Sequence, residues 1–210
     1  MTAKEGQPIV FVIDDDELVR DSVADLLQSV GLGAQVFGSA QEFLQTKLPD
    51  APACIVLDVR LPGASGLEFQ RTLANSNIKL PVIFITGHGD ISMSVKAIKS
   101  GARDFLTKPL REQELLDAVH ACIEEDRTQR HQARLIAELQ ERFNSLTARE
   151  REVLPLVITG RLNKQIAGQL KLSEMTVKVH RGQIMRKMHA SSLVDLLRMA
   201  DMLGIPPGKP

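Results

Sequence analysis

Residues 10–21 read VFVIDDDELVRD, a run of β-branched and aromatic residues that ends in three consecutive aspartates. An apolar run that stops at polar residues is typical of a β-strand leading into the next element. Two interpretations of the aspartates stay open at this point. In one, Asp16 caps a helix that begins at Glu17 and the other two are solvated. In the other, the carboxylates converge on a cation.

The same pattern repeats through the first part of the chain. Apolar runs (IVFVI, AQVF, CIVLDV, PVIFIT and DFLT) alternate with helical stretches such as ELVRDSVADLLQSVG. Five strand and helix repeats predict an α/β fold with a doubly wound, five-stranded parallel sheet. The first, third and fourth runs are almost continuously hydrophobic, which favours strands covered by helices on both faces.

Charge divides the chain of 210 residues, although its formal net charge is zero. Residues 1–125 carry 18 acidic and 11 basic side chains, whereas residues 143–210 carry 5 and 11. The nearly neutral segment 126–142 lies in a stretch without proline or glycine, which predicts one long helix or a helix with a frayed middle. We therefore expect a domain over 1–125, a helical linker over 126–142, and a basic domain over 143–210 that is a candidate for binding a polyanion.

Other features exclude several classes of protein. No segment of about 20 apolar residues and no leader pattern is present, so neither export nor a membrane partner is indicated and a cytoplasmic location is expected.

Cys54 and Cys122 lie in apolar surroundings and make no metal-ligand spacing with the five histidines. We expect both to be reduced core residues.

Polar residues follow the predicted strands at the edge of the sheet where ligands bind. They are Asp14 and Asp15 after the first strand, Asp58 after the third, Thr86 after the fourth and Lys108 after the fifth. Each alone fits an ordinary role, but together three carboxylates suit a cation such as Mg²⁺, and the hydroxyl and ammonium suit a phosphoryl group. Asp58 is the candidate nucleophile, because the following loop VRLPGASG can hold a carboxylate exposed.

The stretches IDDDELVRDS, LDVRLPGASG, FITGHGD and DFLTKP resemble the motifs of response-regulator receiver domains of two-component signalling, over residues 7 to about 125. The resemblance implies that a histidine kinase phosphorylates Asp58. It also implies a Mg²⁺ site formed by the acid pair Asp14 and Asp15, by Asp58 and by the backbone carbonyl of Arg60, with Asp15 and Asp58 as direct ligands. Asp16 is then closer to a helix cap.

The resemblance assigns roles to the remaining strand-end residues as well. Thr86 would hydrogen-bond the phosphoryl group and Lys108 would pair with it, and the peptide before Pro109 would be cis. Phe105 occupies the position of the family's switch aromatic, although a core role fits it equally. Movement of Thr86 towards the phosphoryl group would open space into which the ring of Phe105 can turn.

The basic end of the chain has helical patterns. SLTAREREVLPLVITG predicts an N-capped amphipathic helix that Pro155 should bend or interrupt. NKQIAGQLKLS and EMTVKVHRGQIMRKM predict two helices with helix-turn-helix spacing, the second capped by Ser173. In that second helix Val177, Ile184 and Met188 share one face. The opposite face combines basic residues with residues that have short side chains, and it carries Lys178, Val179, Gly182, Arg186 and His189. Such a face fits a DNA major groove, but an ordinary solvent-exposed helix face accounts for it equally.

LTAREREVL, NKQIA and TVKVHRGQIMRKM resemble the LuxR-type DNA-binding domain over residues 143–205, so the whole chain is similar to FixJ-type response regulators. The resemblance implies an all-α helix-turn-helix domain that binds double-stranded DNA. The implied DNA-binding residues are Lys164, Thr176, Lys178, Val179, Arg181, Gly182 and Lys187. Lys178 and Val179 match positions that often reach base edges, whereas Gly182 departs from the basic residue that family members carry. Phosphate contacts are expected from Lys164, Thr176 and Lys187.

The implied function is that of a transcription factor, not an enzyme. Phosphorylation would produce a homodimer through residues 91–101 and 104–106, and dimerisation would tighten DNA binding. RNA polymerase is a possible further partner. In the other mechanism of activation, phosphorylation would release a basic DNA-binding domain that the acidic receiver masks. Two different functions stay open. A phosphatase or phosphotransferase would use Asp58 as a turnover nucleophile, but Arg60 stands where haloacid-dehalogenase-type phosphatases have a second acid. An adaptor could bind protein or RNA, but the tail has only Phe143 for stacking.

Overall fold

A computed structural model describes residues 6–62, 64–76, 78–87, 98 and 101–208. The chain folds into two compact units, Met1–Arg130 and His131–Pro210. In the part of the first unit that the structure describes, the last helix is preceded by β1 (Ile9–Ile13), α1 (Glu17–Ser29), β2 (Gly33–Phe37), α2 (Ala40–Leu44), β3 (Ala53–Asp58), β4 (Arg60–Leu61), β5 (Ala64–Ser65), α3 (Gly66–Asn75), β6 (Val82–Thr86) and β7 (Asp104–Thr107).

Five strands form one parallel sheet in the order β2-β1-β3-β6-β7. The predicted five-stranded parallel sheet is therefore confirmed. β3 and β6 are buried along their whole length, as their continuous hydrophobic sequences indicated. β4 and β5 form a separate antiparallel hairpin that the sequence did not predict, because two residues per strand leave no periodicity to read. It occupies the loop directly after β3.

Alternate residues of the central strands point into two hydrophobic layers, one on each face of the sheet. Phe11 and Ile55 belong to one layer, and Val10 and Cys54 belong to the other. Cys54 and Cys122 lie in the same layer and are free thiols. Burial raises the pKa of Cys54 well above its ordinary value and that of Cys122 to about 12. Both thiols therefore stay protonated in the core.

The helix α4 (Glu112–Asn144) runs for 33 residues without interruption, and the boundary between the two units falls inside it. Asp126, the first residue of the predicted linker, is buried. Its carboxylate accepts hydrogen bonds from the Ala53 N–H at 2.8 Å and from Arg130 Nε at 2.6 Å. The helix up to Arg130 is thereby attached to the start of β3, so the first turn of the predicted linker belongs to the first unit.

The second unit contains the end of α4 and four shorter helices: α5 (Ala148–Ile158), α6 (Asn163–Leu170), α7 (Glu174–Met188) and α8 (Leu193–Met202). The expected interruption at Pro155 is wrong, since α5 continues through that residue. Its neighbours Leu154 and Leu156 are buried in the core of the unit, and its carbonyl accepts the N–H of Gly208 at 2.9 Å. Packing outweighs the hydrogen bond that a proline removes.

Among the described helices, none has both the length and the apolar character needed to cross a lipid bilayer.

Candidate functional site

The three aspartates after β1 have different partners. Asp16 is the N-cap of α1 and accepts the Leu18 N–H at 3.0 Å, while its own N–H donates to Oδ1 of the fully buried Asp14 at 2.9 Å. Arg20 Nη1 donates to the backbone carbonyls of Asp14 and Asp15 at 2.8 and 3.1 Å. The capping interpretation therefore holds for Asp16, and the backbone of the other two is fixed from α1.

Three carboxylates converge at the carboxyl end of the sheet. One oxygen each from Asp14, Asp15 and Asp58 lie within 4.8 Å of one another. Lys108 Nζ lies 2.6 Å from Oδ2 of both Asp14 and Asp58, and its backbone N–H donates to the carbonyl of the buried Thr86 at 2.7 Å. The structure thus brings together the side chains of four strand-end residues that the sequence indicated, and it joins the fifth, Thr86, to Lys108 through the backbone. Asp15 is exposed, so the cluster opens to solvent.

The charges of the cluster are interdependent. Burial raises the pKa of Asp14 above its ordinary value of 3.8, although the hydrogen bond from Lys108 acts in the opposite direction. Burial alone would lower the pKa of Lys108, but its bonds to Asp14 and Asp58 outweigh that effect and raise the pKa above 10.5. Lys108 is therefore a permanent positive charge beside Asp58.

The backbone after Asp58 is fixed by close packing. The Arg60 N–H donates to Asp58 Oδ1 at 2.9 Å, and the Gly66 N–H donates to the carbonyl of Val59 at 2.9 Å. A Cβ on Gly66 would lie 2.5 Å from the carbonyl oxygen of Asp58, so only glycine fits there. Ser65 caps α3 in a reciprocal capping box with Glu68, which fixes the end of the hairpin. The close approach of Gly66 thus fixes the backbone at Asp58, and the Arg60 N–H holds its carboxylate.

Four further expectations concern the first unit. The Lys108–Pro109 peptide is cis, as expected. Phe105 is partly buried in β7 and packs against the layer that contains Phe84. The carbonyl of Arg60 as a metal ligand stays a prediction. Most of the predicted dimer face, residues 91–97, 99 and 100, lies outside the described residues.

The helix α7 has the two faces that the sequence predicted. Val177, Ile184 and Met188 are fully buried, whereas the opposite side exposes Lys178, Val179 and Gly182. Ser173 caps the helix and accepts the Thr176 N–H at 3.0 Å; the two hydroxyl oxygens lie 2.8 Å apart. Lys164 on α6 is exposed as well.

Two of the predicted DNA-binding side chains bond to other residues of the second unit. Lys187 Nζ lies 2.7 Å from Oε2 of Glu150, a buried residue of α5. Arg181 Nη1 donates to the carbonyl of Arg161 at 2.9 Å. The structure therefore separates Lys187 and Arg181 from the exposed Lys178.

Glu150 is the residue that sequence reasoning missed. Its carboxylate accepts the Thr147 N–H at 2.8 Å, and the Thr147 side chain accepts the N–H of Glu150, which completes a capping box at the start of α5. Burial acts to raise the pKa of Glu150, but the bonds from Lys187 and Thr147 outweigh it and lower the pKa below 4.5. The spacing T-x-x-E could have identified the cap, but no sequence signal identifies the pairing with Lys187.

Comparison with known proteins agrees with this arrangement. Residues 10–120 match the model of the response regulator receiver domain, and residues 144–200 match that of bacterial regulatory proteins of the luxR family. Nodulation protein W of Bradyrhizobium diazoefficiens is 54% identical over 97% of this chain and 90% of that protein. The transcriptional regulatory protein FixJ of Azorhizobium caulinodans is 43% identical over 94% of each chain.

Structural similarity extends to the solved response regulator StyR. Its TM-score is 0.85 at 44% sequence identity, over 93% of this chain and 99% of that one. Both family models, the full-length relatives and the carboxylate cluster at the sheet edge lead to the same assignment. The chain belongs to the response regulators of two-component systems that carry a LuxR-type DNA-binding domain, a family of transcription regulators rather than of enzymes.

Proposed function

We propose that a sensor histidine kinase phosphorylates Asp58 and that this modification controls DNA binding by the second unit. One observation carries the proposal: Lys108 Nζ bridges Asp14 and Asp58 at 2.6 Å each, inside a group of three carboxylates. A permanent cation beside a fixed carboxylate suits a reaction that builds negative charge on phosphoryl oxygens. The cluster is at the edge of the sheet where ligands of this fold bind.

The carboxylate cluster fits a Mg²⁺ ion. Hard oxygen donors within 4.8 Å of one another match the preference of Mg²⁺, which uses one or two carboxylates and keeps several waters. In our proposal Asp15 and Asp58 are the direct ligands, with the Arg60 carbonyl beside them and Asp14 supporting the pair. A bound ion would neutralise charge on the phosphoryl oxygens.

The proposed transfer is a single displacement at phosphorus. A carboxylate oxygen of Asp58 forms the new bond while the bond between phosphorus and the kinase imidazole nitrogen breaks, and that nitrogen keeps the electron pair. The Arg60 N–H and Lys108 orient the attacking carboxylate. Thr86 would then hydrogen-bond the phosphoryl group, and Phe105 would turn inward as the switch residue.

The proposed output is sequence-specific binding of duplex DNA. We assign residues 1–125 to the receiver, 126–142 to the linker and 143–210 to the DNA-binding domain, and Asp126 keeps the first turn of that linker attached to the receiver. Lys178 and Val179 would contact base edges, and Lys164 and Thr176 would contact phosphates. The phosphorylated protein would form a homodimer through residues 91–101 and 104–106, because two half-sites give a specific complex that one helix cannot. RNA polymerase is a further proposed partner. The proposed location is the cytoplasm.

The receiver assignment is tested by labelling with acetyl phosphate, with and without Mg²⁺. Phosphorylation should require Mg²⁺ and disappear in Asp58→Ala, whereas Asp15→Ala should lose activity or its Mg²⁺ dependence. Asp16→Ala is the matched control, because Asp16 caps α1 and should leave labelling intact. Full labelling of Asp58→Ala would overturn the assignment.

The output is tested by sedimentation and DNA binding at fixed protein concentration. Acetyl phosphate should convert monomer to dimer and tighten binding to an enriched duplex. The fragment 143–210 should bind duplex DNA weakly, and each phosphate contact should contribute about −0.9 to the slope of log affinity against log salt. A phosphorylated monomer that binds its operator tightly would exclude control by dimerisation.

A further inference from the structure

A cleft lies at the end of the receiver sheet opposite to the carboxylate cluster. Its volume is about 220 Å³, and it is lined by α3, by the chain that leads into β6 and by Gly101. Val82 in its wall is the first residue of β6, whereas Thr86, beside the carboxylate cluster, is the last. Four residues of strand separate the two by about 13 Å. The cleft is therefore distinct from the proposed phosphorylation site.

Most of the wall of this cleft is aliphatic. Leu73 and Val82 are buried in the hydrophobic layer that contains Phe11. Ile78 and Leu80 are partly buried against the same layer. An apolar cavity of about 150 Å³ can hold a benzene ring. A cleft of about 220 Å³ therefore has room for a six-membered ring with a small substituent.

A buried polar side chain interrupts the aliphatic wall. Gln70 on α3 lines the cleft and is 9% exposed, and its Oε1 accepts no hydrogen bond from any residue that the structure describes. Its amide lies at the cleft, since Nε2 is 3.9 Å from the position that a Cβ on Gly101 would occupy. Because the terminal torsion of glutamine is broad, the amide can turn either polar atom towards a ligand.

Folding does not account for a glutamine at this position. Burial of an amide without a hydrogen-bond partner is unfavourable, whereas Gln70→Leu would extend the aliphatic wall. Buried polar groups without partners are rare in folded proteins. An unpaired acceptor beside a cleft therefore indicates a ligand that supplies the missing donor.

We propose that this cleft binds a small, neutral ring compound whose hydroxyl group donates a hydrogen bond to Gln70 Oε1. The ring would contact Leu73, Ile78 and Leu80. Arg71 is exposed at the same cleft and can attract an anion. A carboxylate has no proton to donate to Oε1 at neutral pH, so the buried acceptor favours the hydroxyl. The receiver would then have a second ligand, at a site that neither phosphorylation nor DNA binding uses.

The test measures binding of fluorinated probes to the full chain by fluorine NMR. 4-Fluorophenol carries the hydroxyl, 4-fluorotoluene replaces it by a methyl group of similar size, and 4-fluorobenzoate carries a carboxylate. Both neutral probes should bind the wild type, because both fill the aliphatic cleft. In Gln70→Leu the affinity for 4-fluorophenol relative to 4-fluorotoluene should fall about tenfold, the effect of leaving one buried donor without its acceptor.

Two further variants provide the controls. Ala74→Phe places a large side chain at the exposed edge of the cleft and should abolish binding of both neutral probes. Gln28→Leu makes the same replacement at an exposed position on α1 and should change neither affinity. Thermal melting checks the fold of each variant. Gln70→Leu should melt no lower than the wild type, since it removes an unpaired buried amide.

Several results would overturn the inference. One is a wild type that does not bind 4-fluorophenol, and another is binding that Ala74→Phe leaves unchanged. An unchanged ratio of the two affinities in Gln70→Leu would remove the role of Oε1, and a lower melting temperature of this variant would assign Gln70 to the fold. Tighter binding of 4-fluorobenzoate that is lost in Arg71→Met would make the cleft an anion site.

Discussion

Replacing Lys187 by methionine removes the ammonium that lies 2.7 Å from Oε2 of Glu150 and keeps most of the length of the side chain. The carboxylate of Glu150, 5% exposed, then keeps its bonds to Thr147, whose N–H donates at 2.8 Å. A buried carboxylate without its counter-charge is unfavourable. The second unit should therefore unfold more readily in the Lys187→Met variant.

The size of the effect follows from burial. Removing one partner of a fully buried ion pair costs about 3–5 kcal/mol. The side chain of Lys187 is 24% exposed, so the pair is partly screened, and the remaining bond from Thr147 further limits the loss. We expect the free energy of unfolding of the second unit to fall by about 2 kcal/mol.

The loss should also depend on pH. In the wild type the pKa of Glu150 lies below 4.5, since the bonds from Lys187 and Thr147 outweigh burial. Stabilisation from a lowered carboxyl pKa is present above 4.5 and disappears as the pH falls through the folded-state value. The difference in stability between the wild type and Lys187→Met should therefore shrink as the pH falls below 4.5.

Urea unfolding followed by far-UV circular dichroism measures the effect, and hydrogen exchange of the α5 and α7 amides in the full chain assigns it to the second unit. A double-mutant cycle with Glu150→Gln isolates the pairing. Lys164→Met is the control, because this exposed lysine on α6 should change stability by less than about 0.5 kcal/mol. Unchanged stability in Lys187→Met, with a salt slope of DNA binding reduced by about 0.9, would refute the reasoning and make Lys187 a phosphate contact.

Three further predictions concern other parts of the molecule. Gly66→Ala places a Cβ 2.5 Å from the carbonyl oxygen of Asp58; it should destabilise the receiver by about 1–3 kcal/mol and slow labelling by acetyl phosphate, and unchanged melting and labelling would contradict this packing. Asp126→Ala leaves the first N–H of β3 without its acceptor and should lower stability in urea by about 2 kcal/mol; a change within error would mean that water replaces the carboxylate. Lys178→Ala should reduce discrimination between the enriched duplex and random DNA more than Lys164→Ala does. Lys164→Ala should instead lower the slope of log affinity against log salt by about 0.9. The opposite result would make Lys164 the base contact and Lys178 the phosphate contact.

The sheet and its site were predictable because both depend on local patterns. Continuous hydrophobic runs identify β1, β3 and β6 as covered strands, and parallel strands deliver their carboxyl ends to one edge. The sequence alone could therefore group Asp14, Asp58 and Lys108 at one site. Their bonding could not, since the position of Lys108 Nζ between two carboxylates depends on side-chain geometry across 94 and 50 residues of chain.

In the second unit, the sequence predicted the helices but not the roles of all the basic side chains. The N-cap Ser173 and the buried face of α7 follow from spacing. The roles of Lys187 and Arg181 do not, because a basic residue on a helix looks the same in sequence whether it contacts a phosphate or a buried carboxylate. Lys187 and Glu150 are 37 residues apart, and only the packing of α5 against α7 brings them together. The interruption expected at Pro155 does not occur, because tertiary packing outweighs the local preference of proline.

The attachment of α4 to β3 has a consequence for the design of chimeric sensors. A receiver cut after residue 125, the end of the domain predicted from the sequence, would lose Asp126 and Arg130, and the buried N–H of Ala53 would have no acceptor. A fusion to a foreign output module should therefore keep the native helix through Arg130. Beyond that residue, each inserted amino acid rotates the attached module by about 100°, whereas whole heptads preserve the helical phase to within about 20°.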